Sequence, residues 1–100
     1  MDAFQKRDEI KTKFSEPLKK IINYDTLSHR LNSQTQAEGL EDVLAEIDVA
    51  LFYLNRGASV EYEPDLKLFG FDDPRPPDFL IKMNGATFYI EIKRILEPEK

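Results

Sequence analysis

Asp78, Glu91 and Lys93 are the residues of this 100-residue chain whose types and spacing could do chemistry. An Asn-Gly pair, Asn84-Gly85, separates two runs rich in Ile, Phe and Tyr, residues 77–83 and 87–95. A type I′ turn needs positive φ at both central positions, which Asn and Gly tolerate, so the pair predicts a two-residue hairpin and its register. Met83 then faces Ala86, Ile81 faces Phe88, Phe79 faces Ile90, and Asp78 comes opposite Glu91. Side chains alternate along a strand, so Asp78, Leu80 and Lys82 share one face with Tyr89, Glu91 and Lys93, while Phe79, Ile81, Phe88, Ile90 and Ile92 cover the other. Directly opposed Cβ atoms lie roughly 4.5–5.5 Å apart, and two like charges there are destabilising unless something neutralises them. A divalent cation between the carboxylates would do so. The competing reading is an ordinary hairpin face in water, with Lys93 a surface partner worth about 0–1 kcal/mol.

Composition narrows the kind of cation. The chain has no cysteine, which excludes disulfides and thiolate metal sites, and its single histidine, His29, excludes any site built on two imidazoles. Oxygen ligands remain, and these suit Mg²⁺, Mn²⁺ or Ca²⁺. A net charge of −5 weighs against nucleic acid, because a polyanion calls for a basic surface. The charge is uneven, however: residues 1–30 hold seven Lys or Arg against five Asp or Glu, and residues 31–100 hold seven against fourteen.

The elements that must position these residues form one small domain. Hydrophobic residues make up 41% of the chain, seven Phe and four Tyr among them, too many for a disordered chain even with 33% charged. No run of about 18 apolar residues could span a bilayer, and polar residues 1–13 lack the apolar segment of a signal peptide. A soluble, cytoplasmic protein with no membrane partner is expected. Residues 4–22 carry apolar positions at roughly helical spacing, with Pro17 expected to split them near Ser15 and Glu16. Residues 23–37 are polar and read as a connector, with a helical turn around Leu27 to Leu31.

The clearest element is an amphipathic helix, because Leu40, Val43, Leu44, Ile47, Ala50, Leu51 and Leu54 form one apolar stripe. Gly57 then suits a left-handed cap. A short strand over 59–63, in which Val60 and Tyr62 alternate with charge, precedes a loop over 64–76 rich in Pro, Gly and Asp. The fold class is α+β or α/β: N-terminal helices, a long amphipathic helix, then a three-stranded β-meander. Residues 1–100 are one domain, with 1–37 a helical region and 38–100 the helix plus β-meander.

Pro77-Asp78, twelve intervening residues and Glu91-Ile92-Lys93 within the apolar run 88–95 resemble the PD-(D/E)xK motif of the restriction-endonuclease-like nuclease superfamily. The helix bearing Glu46, the turn at Gly57 and the strand that follows also look like that family's opening, so the resemblance covers residues 40–95. It implies a meander of restriction-endonuclease-like type and metal-dependent phosphodiester hydrolysis, by a DNA endonuclease or a fragment of one, using Mg²⁺ or Mn²⁺ on DNA. Carried over residue by residue, Asp78 and Glu91 would ligate the metal with the backbone carbonyl of Ile92. Lys93 would orient the attacking water and steady charge on the phosphate. Glu46 would be the helix carboxylate that touches the metal or its water. Without the resemblance, Glu46 at the stripe's margin reads as a solvated helix residue.

Family members continue past the lysine with a second helix and a further strand, whereas seven residues follow Lys93 here. The truncated core implies a fragment, a partner or second copy that completes the sheet, or N-terminal helices in the missing helix's place. An apolar edge strand over 88–95 would invite pairing, so a dimer or higher assembly is expected. Two rival readings stay open. One is a non-catalytic nuclease-like assembly or interaction module; the other is a small α+β protein whose carboxylates are surface decoration. His29 reads as a polar connector residue, Phe52 and Tyr53 as partial core, Asp72 and Asp73 as turn residues. Lys6, Arg7, Lys11, Lys13, Lys19 and Lys20, interspersed with acids, read as a solvated helix face.

Overall fold

The structure is a computed structural model and describes residues 2–64 and 77–92. The expected loop over 65–76, with Asp72 and Asp73, lies outside the described residues, as do Lys93 and the expected strand residues 93–95.

Helix α1 (Ala3–Lys13) starts at a capping box in which the Asp2 carboxylate accepts from the Gln5 N–H at 2.8 Å and Gln5 Oε1 accepts from the Asp2 N–H at 3.1 Å. The helical path breaks at Phe14, and α2 (Ser15–Leu18) follows. Pro17 causes no loss inside α2 because the N–H groups of a first helical turn have no partner within the helix. Together α1 and α2 bury Ile10 and Leu18.

Helix α3 (Tyr24–Ser33) corrects the expected connector: ten residues are helical where a single turn was expected. Its apolar content is small, but Leu27 and Leu31 lie four apart on one face and both are fully buried. Packing of that face on its neighbours, rather than propensity, stabilises so short a helix. Helix α4 (Ala37–Leu54) follows the predicted stripe, with Leu40, Val43, Leu44, Ile47 and Ala50 buried against α1, α2, α3 and β1. Burying each Leu, Val or Ile contributes about 1.5–3 kcal/mol. Past its end Gly57 takes φ 80°, the left-handed conformation expected there, and its N–H reaches the Leu54 carbonyl at 3.0 Å.

Strands β1 (Ser59–Tyr62), β2 (Phe79–Met83) and β3 (Ala86–Ile90) form an antiparallel sheet in that order. The hairpin register is the predicted one: Phe79 pairs with Ile90, Ile81 with Phe88 and Met83 with Ala86. Asn84 and Gly85 both have positive φ, 53° and 79°, as a type I′ turn requires. Val60, Tyr62, Phe79 and Ile81 are fully buried and share one core cluster with the helices; Phe88, Ile90 and Ile92 pack on it in part. Leu80, although on the opposite side of β2 from Phe79 and Ile81, is also buried.

One strand-like contact escaped the sequence. The Ile22 N–H donates to the Val60 carbonyl and the Tyr62 N–H to the Ile22 carbonyl, each at 2.9 Å, so the segment before α3 pairs along the outer edge of β1. Asn23, with φ 68°, turns the chain from this bridge into α3, and its side-chain amide donates to the Tyr62 carbonyl at 3.1 Å. The described residues form a small α+β domain of four helices and a three-stranded sheet. No helix among the described residues is long and apolar enough to cross a membrane.

Candidate functional site

The hairpin brings its two acids to one end of the sheet. Asp78 lies in a bend just before β2 and Glu91 just after β3, so both stand where the regular alternation of the strands has ended. What joins the two chain ends is a contact: the Asp78 carboxylate accepts from the Ile92 N–H at 2.6 Å. On the other side the Asp78 carbonyl accepts from the Glu63 N–H at 2.9 Å, which ties the same residue to the end of β1. Asp78 is half-buried and Glu91 exposed. The Asp78 carboxylate thus lies against the amide of the Glu91-Ile92 peptide. Lys93 is outside the described residues.

Glu46 is not the solvated helix residue that its type suggests; it is 6% exposed. Arg30 Nη1, from α3, donates to both of its carboxylate oxygens at 3.0 Å. The Tyr62 hydroxyl, from β1, donates to Oε2 at 3.1 Å and itself accepts from Arg30 Nη1. An arginine, a glutamate and a tyrosine from three elements thus close a small ring. Among the described residues no buried side-chain nitrogen or oxygen lacks a partner. Arg30 and Tyr62 were not recognised as site residues from sequence. A signal existed: Glu46 is three residues from Val43 and four from Ala50, both buried, and a carboxylate between them must find a cation or stay protonated.

Electrostatics follow from this burial. Desolvation pushes the Glu46 carboxyl above its ordinary range; the Arg30 charge and hydrogen bond pull it down, and the negative charge of Asp78 pushes it up again. The net direction is upward. Burial raises the Tyr62 hydroxyl too, the Glu46 charge adds to the rise and the Arg30 contacts oppose it, so Tyr62 stays a donor. Burial works against the charge on Arg30, but its hydrogen bond to Tyr62 and the Glu46 charge outweigh that and raise it.

A stability prediction follows. Glu46 has a folded pKa above its ordinary value of 4.5, so its contribution is fully present below that value and fades as pH rises through the folded one. The stability of the native protein relative to Glu46→Gln is therefore expected to fall between about pH 4 and about pH 7. Urea unfolding of both proteins at the two pH values checks it, and a gap that widens in favour of the native protein at neutral pH contradicts it.

Among the remaining candidates Tyr53 is partial core as expected, whereas Phe52 is exposed, Arg7 is half-buried rather than on a solvated face, and His29 lies on a helix rather than in a connector. His29 is exposed on α3. Lys6 pairs with Asp48 at 3.2 Å and Lys13 with Glu9 at 2.5 Å, both at the surface, while Lys11 donates to Asn32 Oδ1 at 2.7 Å. Arg7 reaches the Leu31 and Gln34 carbonyls at 3.5 and 3.4 Å, where α3 ends. Tyr53 packs edge-on against Phe88 with ring centres 5.6 Å apart, and the Arg56 guanidinium stacks on the Phe52 ring.

Asp78, Glu91 and the Ile92 carbonyl are the oxygen donors that could meet a hard cation such as Mg²⁺, which takes one or two carboxylates and retains several waters. Among the described residues no three acidic, His or Cys side chains gather as a metal-binding group. Comparison of the chain with family models, curated proteins and solved structures gives no match.

Proposed function

We propose that the hairpin end is a divalent-cation site for phosphodiester hydrolysis of the PD-(D/E)xK kind, acting on DNA with Mg²⁺ or Mn²⁺. Asp78 and Glu91 are its carboxylate ligands, the Ile92 carbonyl its third donor, and Lys93 the ammonium that orients water and steadies the phosphate. The observation that carries this reading is the 2.6 Å contact between the Asp78 carboxylate and the Ile92 N–H, which holds the Asp against the Glu-x-Lys segment. The element order supports it as well: a helix carrying Glu46, then a meander with Asp78 ahead of its second strand and Glu91 leaving its third.

The chemistry matches the residue types. A phosphodiester is an anion, and a bound divalent cation lowers the pKa of a water and offsets charge that builds in the transition state. The protein's part is to fix the carboxylates and to hold a protonated lysine beside the reacting phosphate. DNA cleavage with Mg²⁺ tests the proposal. Asp78→Ala and Lys93→Ala are each expected to lower the rate by about a hundredfold or more. Cleavage that persists in both variants discards the assignment.

A second reading has its own support: a nuclease-like module without catalysis, serving assembly. Glu46 is already satisfied by Arg30 and Tyr62, and β3 is an edge strand among the described strands of the sheet. Isothermal titration separates the two, since the module gives no heat with Mn²⁺, in the native protein or in Glu91→Ala.

A further inference from the structure

A groove of about 620 Å³ runs beside the C-terminal end of α4, within the roughly 300–1,000 Å³ of ligand-sized hollows. Phe14, at the break between α1 and α2, and Pro17 line it from one side; Leu51, Phe52 and Leu54, from the last turn of α4, line it from the other. Phe14 is 40% exposed and Phe52 48%. Single apolar side chains at a surface need no explanation, but two open phenylalanines on one hollow mark a contact surface. Phe52 also borders a second hollow of about 380 Å³ with Val49, Tyr53 and Ile90, so the apolar surface continues toward β3.

The charged groups of the groove indicate what covers it. Its lining holds two cations, Lys20 and Arg56, and no acidic side chain, although the chain as a whole carries a net charge of −5. Lys6, Lys13, Lys19 and Arg30 lie 3.2, 2.5, 3.9 and 3.0 Å from a carboxylate, whereas Lys20 and Arg56 make no ion pair among the described residues. The Arg56 guanidinium instead donates to the Phe52 carbonyl at 3.0 Å and stacks 3.5 Å from the Phe52 ring centre, which fixes its charge at the rim. We infer that this groove docks an acidic, apolar peptide segment of another protein, whose large apolar side chains seat between Phe14 and Phe52 while its carboxylates meet Lys20 and Arg56. The apolar centre then supplies affinity, and the charged rim selects the partner and speeds its encounter. A nucleic acid fits less well, since a polyanion calls for a longer basic track, and Pro17, Leu51 and Leu54 offer bases no flat face. A second copy meeting the same face across a twofold axis would set these cations against their like. No residue of the groove belongs to the proposed cation site, so the inference stands apart from it.

Selection from a phage-displayed library of random peptides on the full chain tests this, with the recovered sequences remade as fluorescent peptides for anisotropy. They are expected to carry acidic residues beside large apolar ones and to bind less tightly as salt rises. Their affinity is expected to fall by about tenfold or more for Lys20→Glu combined with Arg56→Glu, and by as much for Phe52→Ser. All three side chains are exposed, so both variants are expected to fold, and circular dichroism checks it. If one variant does not fold, the other decides by the same limits. Recovered peptides that are neutral or basic, or that bind the variants as tightly as the native protein, overturn the inference, and so does a library that yields no binder. A native dimer that Phe52→Ser dissociates in sedimentation also overturns it, by making a second copy the occupant. So does a fluorescent single-stranded oligonucleotide that binds the native protein and not the charge-reversed one, because the cations then serve nucleic acid.

Discussion

Arg30→Met is expected to lower stability by up to about 3 kcal/mol at neutral pH. The methionine keeps the bulk of the side chain but leaves the buried Glu46 carboxylate without its cation. Removing one partner of a buried pair costs about 3–5 kcal/mol when the remaining charge stays uncompensated. Glu46 has an escape, which sets a ceiling: it can take up a proton. From its ordinary value of 4.5 to pH 7, at about 1.4 kcal/mol per pH unit, that costs at most about 3 kcal/mol, less what burial already costs the native protein. The same reasoning makes the penalty strongly pH-dependent, falling toward about 1 kcal/mol near pH 5. Urea unfolding of native and variant protein across that range measures it, and a penalty indifferent to pH would mean that Glu46 is not left charged. Replacing the whole ring, with Arg30→Met, Glu46→Leu and Tyr62→Phe together, is expected to recover most of the loss, because no buried polar group then lacks a partner.

Phe79→Ala is expected to cost about 3–5 kcal/mol, the range for emptying a large buried aromatic site. Phe79 is fully buried in the central strand, its ring centre is 5.4 Å from that of Tyr62, and it pairs across the hairpin with Ile90. The cavity would open between sheet and helices, where α4 and β1 cannot both close on it. Phe79→Leu retains most of the volume and is expected to lose far less. Phe79 also directly follows Asp78, so the alanine variant is expected to loosen the Asp78–Ile92 contact as well as the core. Hydrogen exchange at the Ile92 amide in a folded Phe79→Leu and Phe79→Ala pair reads this, and equal protection in both contradicts it.

Local chemistry was legible from residues alone. The Asn84-Gly85 turn imposes positive φ on two adjacent positions, and every cross-strand pair from Phe79 to Ile90 follows from that one constraint. The stripe on α4 repeats at helical spacing from Leu40 to Leu54, so its inward face was readable, and Gly57 marked its end. Helix α3 was not legible, since two leucines among polar residues carry little periodic signal and their burial is supplied by other elements. Glu46 could be picked out as a candidate by position, but its environment could not.

The register of the strands that Asp78 precedes and Glu91 follows was therefore fixed by the sequence, through a short-range turn whose geometry needs nothing from the rest of the molecule. The partners of Glu46 were decided only by tertiary packing, because Arg30 and Tyr62 are each sixteen residues from it, in opposite directions along the chain. The bridge of Ile22 to β1 spans a greater separation still. Contacts of that range depend on how helices and sheet stack, and a buried charge takes whichever partner the stacking brings within reach.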